Sequence, residues 1–305
     1  MNIQSLILAV IASTLRVATP LIYGTLGELF CERSGVLNLG IEGTMFMGAF
    51  SGFAIAFFTG SPELGILGAL IIGALSGLIM GFFAVKLGVN QHVSGLGITL
   101  LLTGLSLFLS RVIFPGYQVL PSIKNLPPWN PFAGIPWLGP IFEQYWLTYL
   151  LILILPLAWW VLYRTNFGLD IRAVGENPEA ADGAGVNVYR TRYFALAIGG
   201  GLMGVGGAFL SVAQLGAFSP GIIAGRGWVC IALIIFANWK PLGVLWGGLL
   251  FGSVFALELR LQTLGLKLPY ETFLALPYIV TIIALAFAGR RVTGPAAVLK
   301  PYKRE

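Results

Sequence analysis

Long apolar segments constrain this chain more than any other feature of its sequence. About nine of them can be traced, each near the roughly 20 residues that a helix needs to cross a bilayer. They lie at about 5–29, 38–58, 64–85, 93–114, 145–163, 193–215, 222–238, 242–259 and 272–288. The runs are continuous rather than alternating, which argues against a transmembrane barrel. The pattern predicts an all-α, polytopic transmembrane helical bundle of about nine to ten spans, forming a single transmembrane domain over residues 1–305.

The composition agrees with a membrane protein. The chain is 57% hydrophobic and 10% charged, whereas a soluble domain carries roughly 25% charged residues. Its 41 glycines suit helices that pack closely in lipid. The two cysteines, Cys31 and Cys230, are too few for a disulfide framework, and no metal site is expected. The net charge of +6 does not predict a nucleic-acid partner, because Lys and Arg of membrane proteins collect on one side of the bilayer.

The distribution of basic residues predicts the orientation of the chain. When the central polar stretch is placed inside and the segments alternate, twelve of the 18 basic residues fall on the inner side. They are Arg33, Lys86, Arg164, Arg172, Arg190, Arg192, Lys240, Arg290, Arg291, Lys300, Lys303 and Arg304. This excess predicts a cytoplasmic central stretch and C-terminus, and it leaves the side of the N-terminus open.

The central polar stretch, residues 164–192, contains the signals of one short helix. Asn177 can cap it, Pro178 fits its first position, and Glu179 lies in its first turn, where a negative charge suits the helix dipole. Alanines follow, and Gly185 is among the residues that end it. The stretch is either a solvated loop between two spans or a docking element for a soluble partner.

Three residues interrupt the first apolar segment, namely Arg16, Pro20 and Glu28. A charged side chain at the centre of a bilayer costs roughly 2.5–3.5 kcal/mol on insertion scales, so these groups should face protein or water. Arg16 and Arg33 are candidate partners for Glu28 and Glu42, respectively.

Two glycine-flanked breaks precede apolar segments. Residues 34–43 carry Asn38 and Glu42, and residues 219–227 carry Arg226. The first break is either a tight interfacial turn or a broken helix that lines a substrate path, because irregular backbone is tolerated in a membrane only where it lines a cavity. Two such breaks in segments of opposite direction are consistent with an inverted repeat whose binding site lies between the halves. The candidate path residues are Asn38, Glu42, Gln214 and Arg226.

The chain lacks the motifs of an independent catalyst. It contains no Gly-Lys dipeptide and therefore no phosphate-cradling loop of the GxxxxGK[ST] type. Its only histidine, His92, lies near Ser94, where an interfacial polar role outweighs a catalytic dyad. We expect no catalytic residue and no cofactor. Transport would therefore need either an ion gradient or an ATPase on a separate subunit.

Residues 32–43 carry the most specific motif, ERSGVLNLGIEG. It resembles the permease subunits of bacterial ABC importers for branched-chain amino acids, simple sugars and nucleosides, and its variant is most similar to the nucleoside-type branch. The stretch GENPEAA at 175–181 is similar to the coupling-helix loop of that family and fits the broader EAA-x3-G pattern. By this resemblance the ATPase-coupling residues are Gly175, Glu176, Asn177, Pro178, Glu179, Ala180, Ala181 and Gly185.

The resemblance also implies partners and a location. It implies a multi-pass protein of the bacterial cytoplasmic membrane that works with a cytoplasmic ABC ATPase subunit, a sister permease chain and an extracytoplasmic substrate-binding lipoprotein, in contact with membrane lipid. The expected function is a permease for a nucleoside or a related small polar solute, with a simple sugar or a branched-chain amino acid as alternative substrates. A gradient-driven secondary transporter remains the alternative class, with Glu28, Glu42 and Glu258 as ion carriers.

Overall fold

The computed structural model of this protein describes residues 3–115, 121–132, 135, 139, 141–263, 270–288 and 294–303. Its described elements are helices, as the apolar pattern predicted. Helices α1 to α5 span Ile3–Arg33, Ile41–Thr59, Pro62–Gly81, Gln91–Ile113 and Trp146–Arg164. Helices α6 to α11 span Asn166–Glu176, Pro178–Gly183, Val188–Ala208, Arg226–Phe236, Pro241–Thr263 and Tyr270–Ala288. Helix α3 continues as a π-helical turn over Phe82–Lys86, and α8 continues as one over Phe209–Leu215.

Seven of the described helices are long and apolar enough to cross a membrane. The predicted segment 222–238 is different, because its helix, α9, has only 11 residues. At 1.5 Å per residue it covers about 16 Å, roughly half of a bilayer core. The structure therefore corrects this segment from a full span to a half-length helix. The last predicted segment corresponds to α11, which has 19 residues.

Helix α1 runs without a break through Arg16, Pro20 and Glu28. The interruption expected there is absent because Pro20 lies within a helix of 31 residues whose neighbours hold it in place. Gly24 faces α9 and α2, and Gly27 faces α8, where an added Cβ would overlap the Gly199 carbonyl oxygen. Tertiary packing therefore overrides the local tendency of proline to break a helix.

The core of the bundle is formed by α1, α2 and α8, which are largely buried, whereas α4 and α5 expose most of their apolar side chains. Glycines allow the backbones to touch where α3 crosses α8. A Cβ on Gly77 would overlap the Leu196 carbonyl oxygen, and a Cβ on Gly200 would overlap that of Gly73. Close approach of this kind is how helices associate in lipid, where no hydrophobic force drives them together.

One end of the bundle collects the segments that the charge distribution assigned to the cytoplasm. The Nε atom of Arg33 donates to the Trp239 carbonyl at 3.0 Å, and the Nε atom of Arg192 donates to the Ser34 carbonyl at 3.1 Å. The Ala297 N–H donates to the Gly175 carbonyl at 2.9 Å. The end of α1, the central stretch, the α9–α10 turn and the C-terminal residues therefore share one face. The opposite end carries the described part of the loop between α4 and α5.

Candidate functional site

The chain between α1 and α2 turns back into the bundle. Gly35 ends α1 in the left-handed region, at φ +87°. The Asn38 N–H then donates to the Glu28 carboxylate at 2.8 Å. Since Glu28 lies five residues before the end of α1, the chain has returned about 7 Å along that helix before α2 begins. This geometry favours a broken helix over a tight interfacial turn.

The polar groups of this break are satisfied from neighbouring helices. The Asn38 side-chain oxygen accepts the Gly40 N–H at 3.0 Å, which forms a local turn that leads into α2. The Gln91 side chain at the start of α4 accepts the Leu37 N–H at 2.8 Å. The Thr99 hydroxyl donates to the Leu39 carbonyl at 2.9 Å. No local pattern in the sequence points to Gln91 or Thr99, because their role depends on how α4 packs against the break.

The second break lies between the π-helical end of α8 and the start of α9. Gly216, Ala224 and Gly225 all adopt positive φ there. Ala224, at φ +50°, is a strained position for a residue with a side chain. After these conformations α9 begins at Arg226 without a side-chain cap of its own, and its first amide groups need an acceptor from another helix.

Glu42, in the first turn of α2, supplies that acceptor. Its two carboxylate oxygens accept the N–H groups of Gly225 at 2.9 Å and of Gly227 at 2.7 Å. A Cβ on Gly227 would come within 2.6 Å of the Glu42 Cα atom, so only glycine allows this approach. A carboxylate at a helix N-terminus satisfies free amides and also interacts favourably with the helix dipole. The two breaks predicted from the sequence are thus joined through Glu42.

The four predicted path residues do not all share one environment. Asn38 is buried, and Glu42 and Arg226 are half-buried. The Arg226 guanidinium donates to the Ile222 and Ile223 carbonyls at 3.1 and 2.9 Å and lies 5.9 Å from the centre of the Phe255 ring. Gln214 is exposed and lies in the π-helical end of α8.

Gln214 lies near the end of the bundle that carries the loop between α4 and α5. Two residues after it, the Gly216 carbonyl accepts the Ile123 N–H at 2.8 Å, and the Val212 carbonyl accepts the Leu126 N–H at 3.2 Å. The described loop between α4 and α5 therefore packs beside Gln214. The structure joins Glu42 to the start of α9, at Arg226, and places Gln214 next to this loop.

The expected partners of the buried acids were wrong. Arg16 donates to the Glu143 carbonyl at 2.8 Å rather than to Glu28. Arg33 donates to the Trp239 carbonyl rather than to Glu42. The sequence could not show this, because both arginines find backbone carbonyls of segments that are more than 100 residues away.

Instead, backbone and indole N–H groups bind the acids. Glu28 accepts the Asn38 N–H, and Glu32 accepts the Trp239 indole N–H at 2.6 Å. Both glutamates are buried. Trp239 has positive φ, and its carbonyl and its indole both bind the end of α1. This link between α1 and the end of α9 was missed from the sequence, which offers no pattern for it.

The short helix of the central stretch forms as predicted. It is α7, whose N-cap Asn177 accepts the Ala180 N–H at 3.0 Å, with Pro178 in its first turn and Glu179 beside it. Gly185 follows its end at φ +90°. The side chains of Glu176, Asn177, Glu179 and Ala180 are exposed. The structure adds one element that the sequence pattern did not predict, the amphipathic helix α6 just before α7.

The inner face of this helix pair is packed against the rest of the protein. Gly175 approaches α1 so closely that a Cβ would overlap the Arg33 carbonyl oxygen. Ala181 is buried in a small apolar cluster with Val174, Val188 and Tyr302. The helix pair therefore presents a rigid exposed surface on one side and contacts the first break on the other.

Comparison with known proteins gives a family match over most of the chain and several relatives of similar length. Residues 10–285 match the family described as the permease component of branched-chain amino acid transport systems. The chain is 39% identical to a putative glucose ABC transporter permease protein, TsgC13, of Haloferax volcanii, over 96% of this chain and 97% of that protein.

Two further relatives carry nucleoside names. The chain is 37% identical to a nucleoside ABC transporter permease protein, NupC, of Lactococcus lactis, over 97% of each. It is 36% identical to a guanosine ABC transporter permease protein, NupQ, of Bacillus subtilis, over 99% of this chain and 98% of that protein. No solved structure gives a significant match.

Proposed function

We propose that this chain, which belongs to the family of permease components of branched-chain amino acid transport systems, carries a nucleoside or a closely related hydroxyl-rich solute. It is a multi-pass permease subunit of an ABC importer in the cytoplasmic membrane, for a small polar solute. Our proposal concerns its substrate, the residues of its transport path and its partner subunits.

The observation that carries the proposed path is the junction of α2 and α9 at Glu42. The starts of these two helices meet there through a carboxylate and two backbone amides. Half-buried polar groups at such a junction, Glu42 and Arg226 with the nearby Asn38, offer acceptors and donors without a cluster of like charges. Gln214 would extend the path toward the outer side.

The chemistry of this path suits a neutral solute that is rich in hydroxyl groups. Amide and carboxylate oxygens accept hydrogen bonds from ribose hydroxyls, and backbone carbonyls accept them from base amino groups. The relatives named for nucleosides, guanosine and glucose are all named for solutes with several hydroxyls. A path that must release its solute needs only weak binding, since an outer protein would supply the affinity.

The exposed surface of α6 and α7 is the proposed docking element for an ATPase subunit. It is built from a capped helix with an acidic first turn, and its inner side is fixed against α1. A rigid helix at the membrane surface can transmit a movement that a flexible loop would absorb. The proposal includes a sister permease chain and an extracytoplasmic substrate-binding lipoprotein as further subunits.

Reconstitution tests the proposal. Liposomes would contain the permease with its sister chain, ATPase and binding protein, with ATP enclosed and an uncoupler added. We expect guanosine uptake that needs ATP hydrolysis and survives the uncoupler, and that exceeds uptake of glucose and leucine. Uptake that continues without ATP but collapses with the uncoupler would instead indicate a gradient-driven carrier. ATP-dependent uptake of glucose or leucine alone would refute the nucleoside assignment and leave the ABC mechanism intact.

A further inference from the structure

The C-terminal residues 294–302, here named the C-terminal strap, lie against the proposed coupling helices, the first break and the turn that follows α9. We infer that the strap is the positioning element that carries movement from α7 to the breaks, with Tyr302 as its anchor under α7. The inference rests on the coupling role proposed above for α7, and it assigns a role to a segment that follows the last apolar helix.

The strap is bound to the coupling helices by backbone and side-chain contacts. The Ala297 N–H donates to the Gly175 carbonyl at 2.9 Å, at the end of α6. The neighbouring Ala296 N–H points to the Glu176 carboxylate at 3.4 Å. Ala297 is 2% exposed, which is unusual for the tail of a membrane protein outside its spans. This part of the strap is therefore held as tightly as a core segment.

Tyr302 packs directly beneath α7. It is 8% exposed and shares an apolar cluster with Val174 of α6, Ala181 of α7 and Val188 of α8. Its ring centre lies 5.8 Å from that of Tyr189. Ala181 is the buried residue of a helix of only six residues, so the cluster that includes the Tyr302 ring supports the inner side of α7.

The strap also contacts the first break. Arg192, which is almost fully buried, donates through Nε to the Ser34 carbonyl at 3.1 Å, and a Cβ on Gly35 would lie 3.0 Å from its guanidinium. A Cβ on Gly35 would lie 3.5 Å from the Ala297 Cβ, which places the strap in van der Waals reach of the residue that ends α1. Because Tyr302 and Ala297 belong to the same short strap, a displacement of the strap acts on Gly35, from which the chain continues to Asn38 and Glu42.

A second contact leads to α9. A Cβ on Gly294, at the start of the strap, would come within 2.9 Å of the Trp239 ring. Trp239 binds Glu32 and Arg33 at the end of α1 and follows the C-terminal end of α9. The N-terminal end of α9 is the one that Glu42 holds. The strap thus contacts the first break directly and reaches α9 through the turn that follows it.

A purely supporting role and a coupling role give different results for substitutions of Tyr302. The test uses the complete complex in liposomes and measures both ATP hydrolysis and solute uptake. We expect Tyr302→Ala to insert and to retain the ATPase, while the amount of solute moved per ATP hydrolysed falls about fivefold or more, the lower end of usual coupling between sites. Tyr302→Phe keeps the ring on Ala181 and should stay close to wild type. Lys300→Ala, an exposed change in the same strap, is the matched control.

The outcomes separate this inference from the proposed function. If the wild type shows no ATP-dependent uptake, the proposed function fails. If the wild type is coupled and Tyr302→Ala moves as much solute per ATP as Lys300→Ala, the strap does not carry movement and the inference is overturned.

A second measurement decides the question if Tyr302→Ala does not assemble. Glu176→Cys and Ala296→Cys, both exposed, would be joined by a short reagent that links two thiols, in a background without Cys31 and Cys230. If strap and coupling helices move as one unit, the linked protein should transport at the rate of the unlinked one. Loss of transport on linking, reversed when the link is cleaved, would show that the two must separate and would refute the inference.

Discussion

Removal of the Glu42 carboxylate provides a quantitative test of how the two breaks are held together. Glu42 accepts two backbone N–H groups at the start of α9. In Glu42→Ala both amides lose their acceptor, and an unsatisfied buried donor costs about 1–3 kcal/mol. Glu42 is half-buried, so water can reach part of this site, and we place the total near the lower bound, at about 2–3 kcal/mol.

Glu42→Gln is the finer substitution. It keeps one acceptor oxygen, but its amide group turns a donor toward the second N–H, so we expect about half of the loss that alanine causes, roughly 1–1.5 kcal/mol. The thermal midpoint in detergent would be measured. At about 2–4 °C per kcal/mol for a long chain, alanine should lower it by roughly 4–12 °C.

The matched control is Glu63→Gln. Glu63 also lies in the first turn of a helix, α3, but it is exposed, and it accepts the Ser61 hydroxyl at 2.9 Å. Its loss should cost about 0.5 kcal/mol or less, as exposed charges usually do. Equal midpoints for Glu42→Ala and Glu63→Gln would refute the argument that this carboxylate holds α9.

Three further outcomes are expected. Gly77→Ala forces a Cβ onto the Leu196 carbonyl and should cost about 1–3 kcal/mol of stability. Its control is Gly97→Ala, whose added Cβ meets nothing within 4 Å and which should be neutral or stabilising by up to about 1 kcal/mol. Thermal midpoints of the two variants in detergent are compared, and equal effects would contradict close packing of α3 on α8. Glu179→Lys places a positive charge in the first turn of α7 and should cost about 1 kcal/mol of docking while insertion stays normal; a full transport rate and full ATPase pull-down would show that α7 is not the docking element. Arg226→Cys, in a cysteine-free background, should react with a soluble thiol reagent during ATP turnover; an inert thiol with and without ATP would argue against a water-filled path at this position.

Local signals in the sequence were sufficient for the elements that depend only on neighbouring residues. The apolar runs predicted the long helices because bilayer length and hydropathy are properties of about 20 consecutive residues. The short helix α7 followed from Asn177, Pro178 and Glu179, since capping groups bind amides within the same turn. Basic residues also predicted that Arg33, the central stretch and Lys240 share one face, which the contacts of Arg33 and Arg192 confirm.

The sequence was misleading where the length and apolarity of a segment do not determine its backbone conformation. Residues 222–238 have the composition of a span, yet positive φ at Ala224 and Gly225 delays the helix to Arg226. The partners of Arg16 and Arg33 were wrong for a related reason. An arginine can donate hydrogen bonds to any backbone carbonyl that the fold brings near, and the hydropathy pattern cannot predict which carbonyl that is.

The candidate path and the strap depended on the tertiary structure alone. Glu42 meets Gly225 across 183 residues of sequence, and Ala297 meets Gly175 across more than 100. Hydropathy, capping and charge patterns act over a few turns of helix, so they determine which segments enter the membrane and where α7 starts. At such distances, tertiary packing decides which amide a carboxylate binds. Glycine contacts set how closely α1, α2 and α8 pack, and this packing leaves certain backbone groups that need a hydrogen-bond partner.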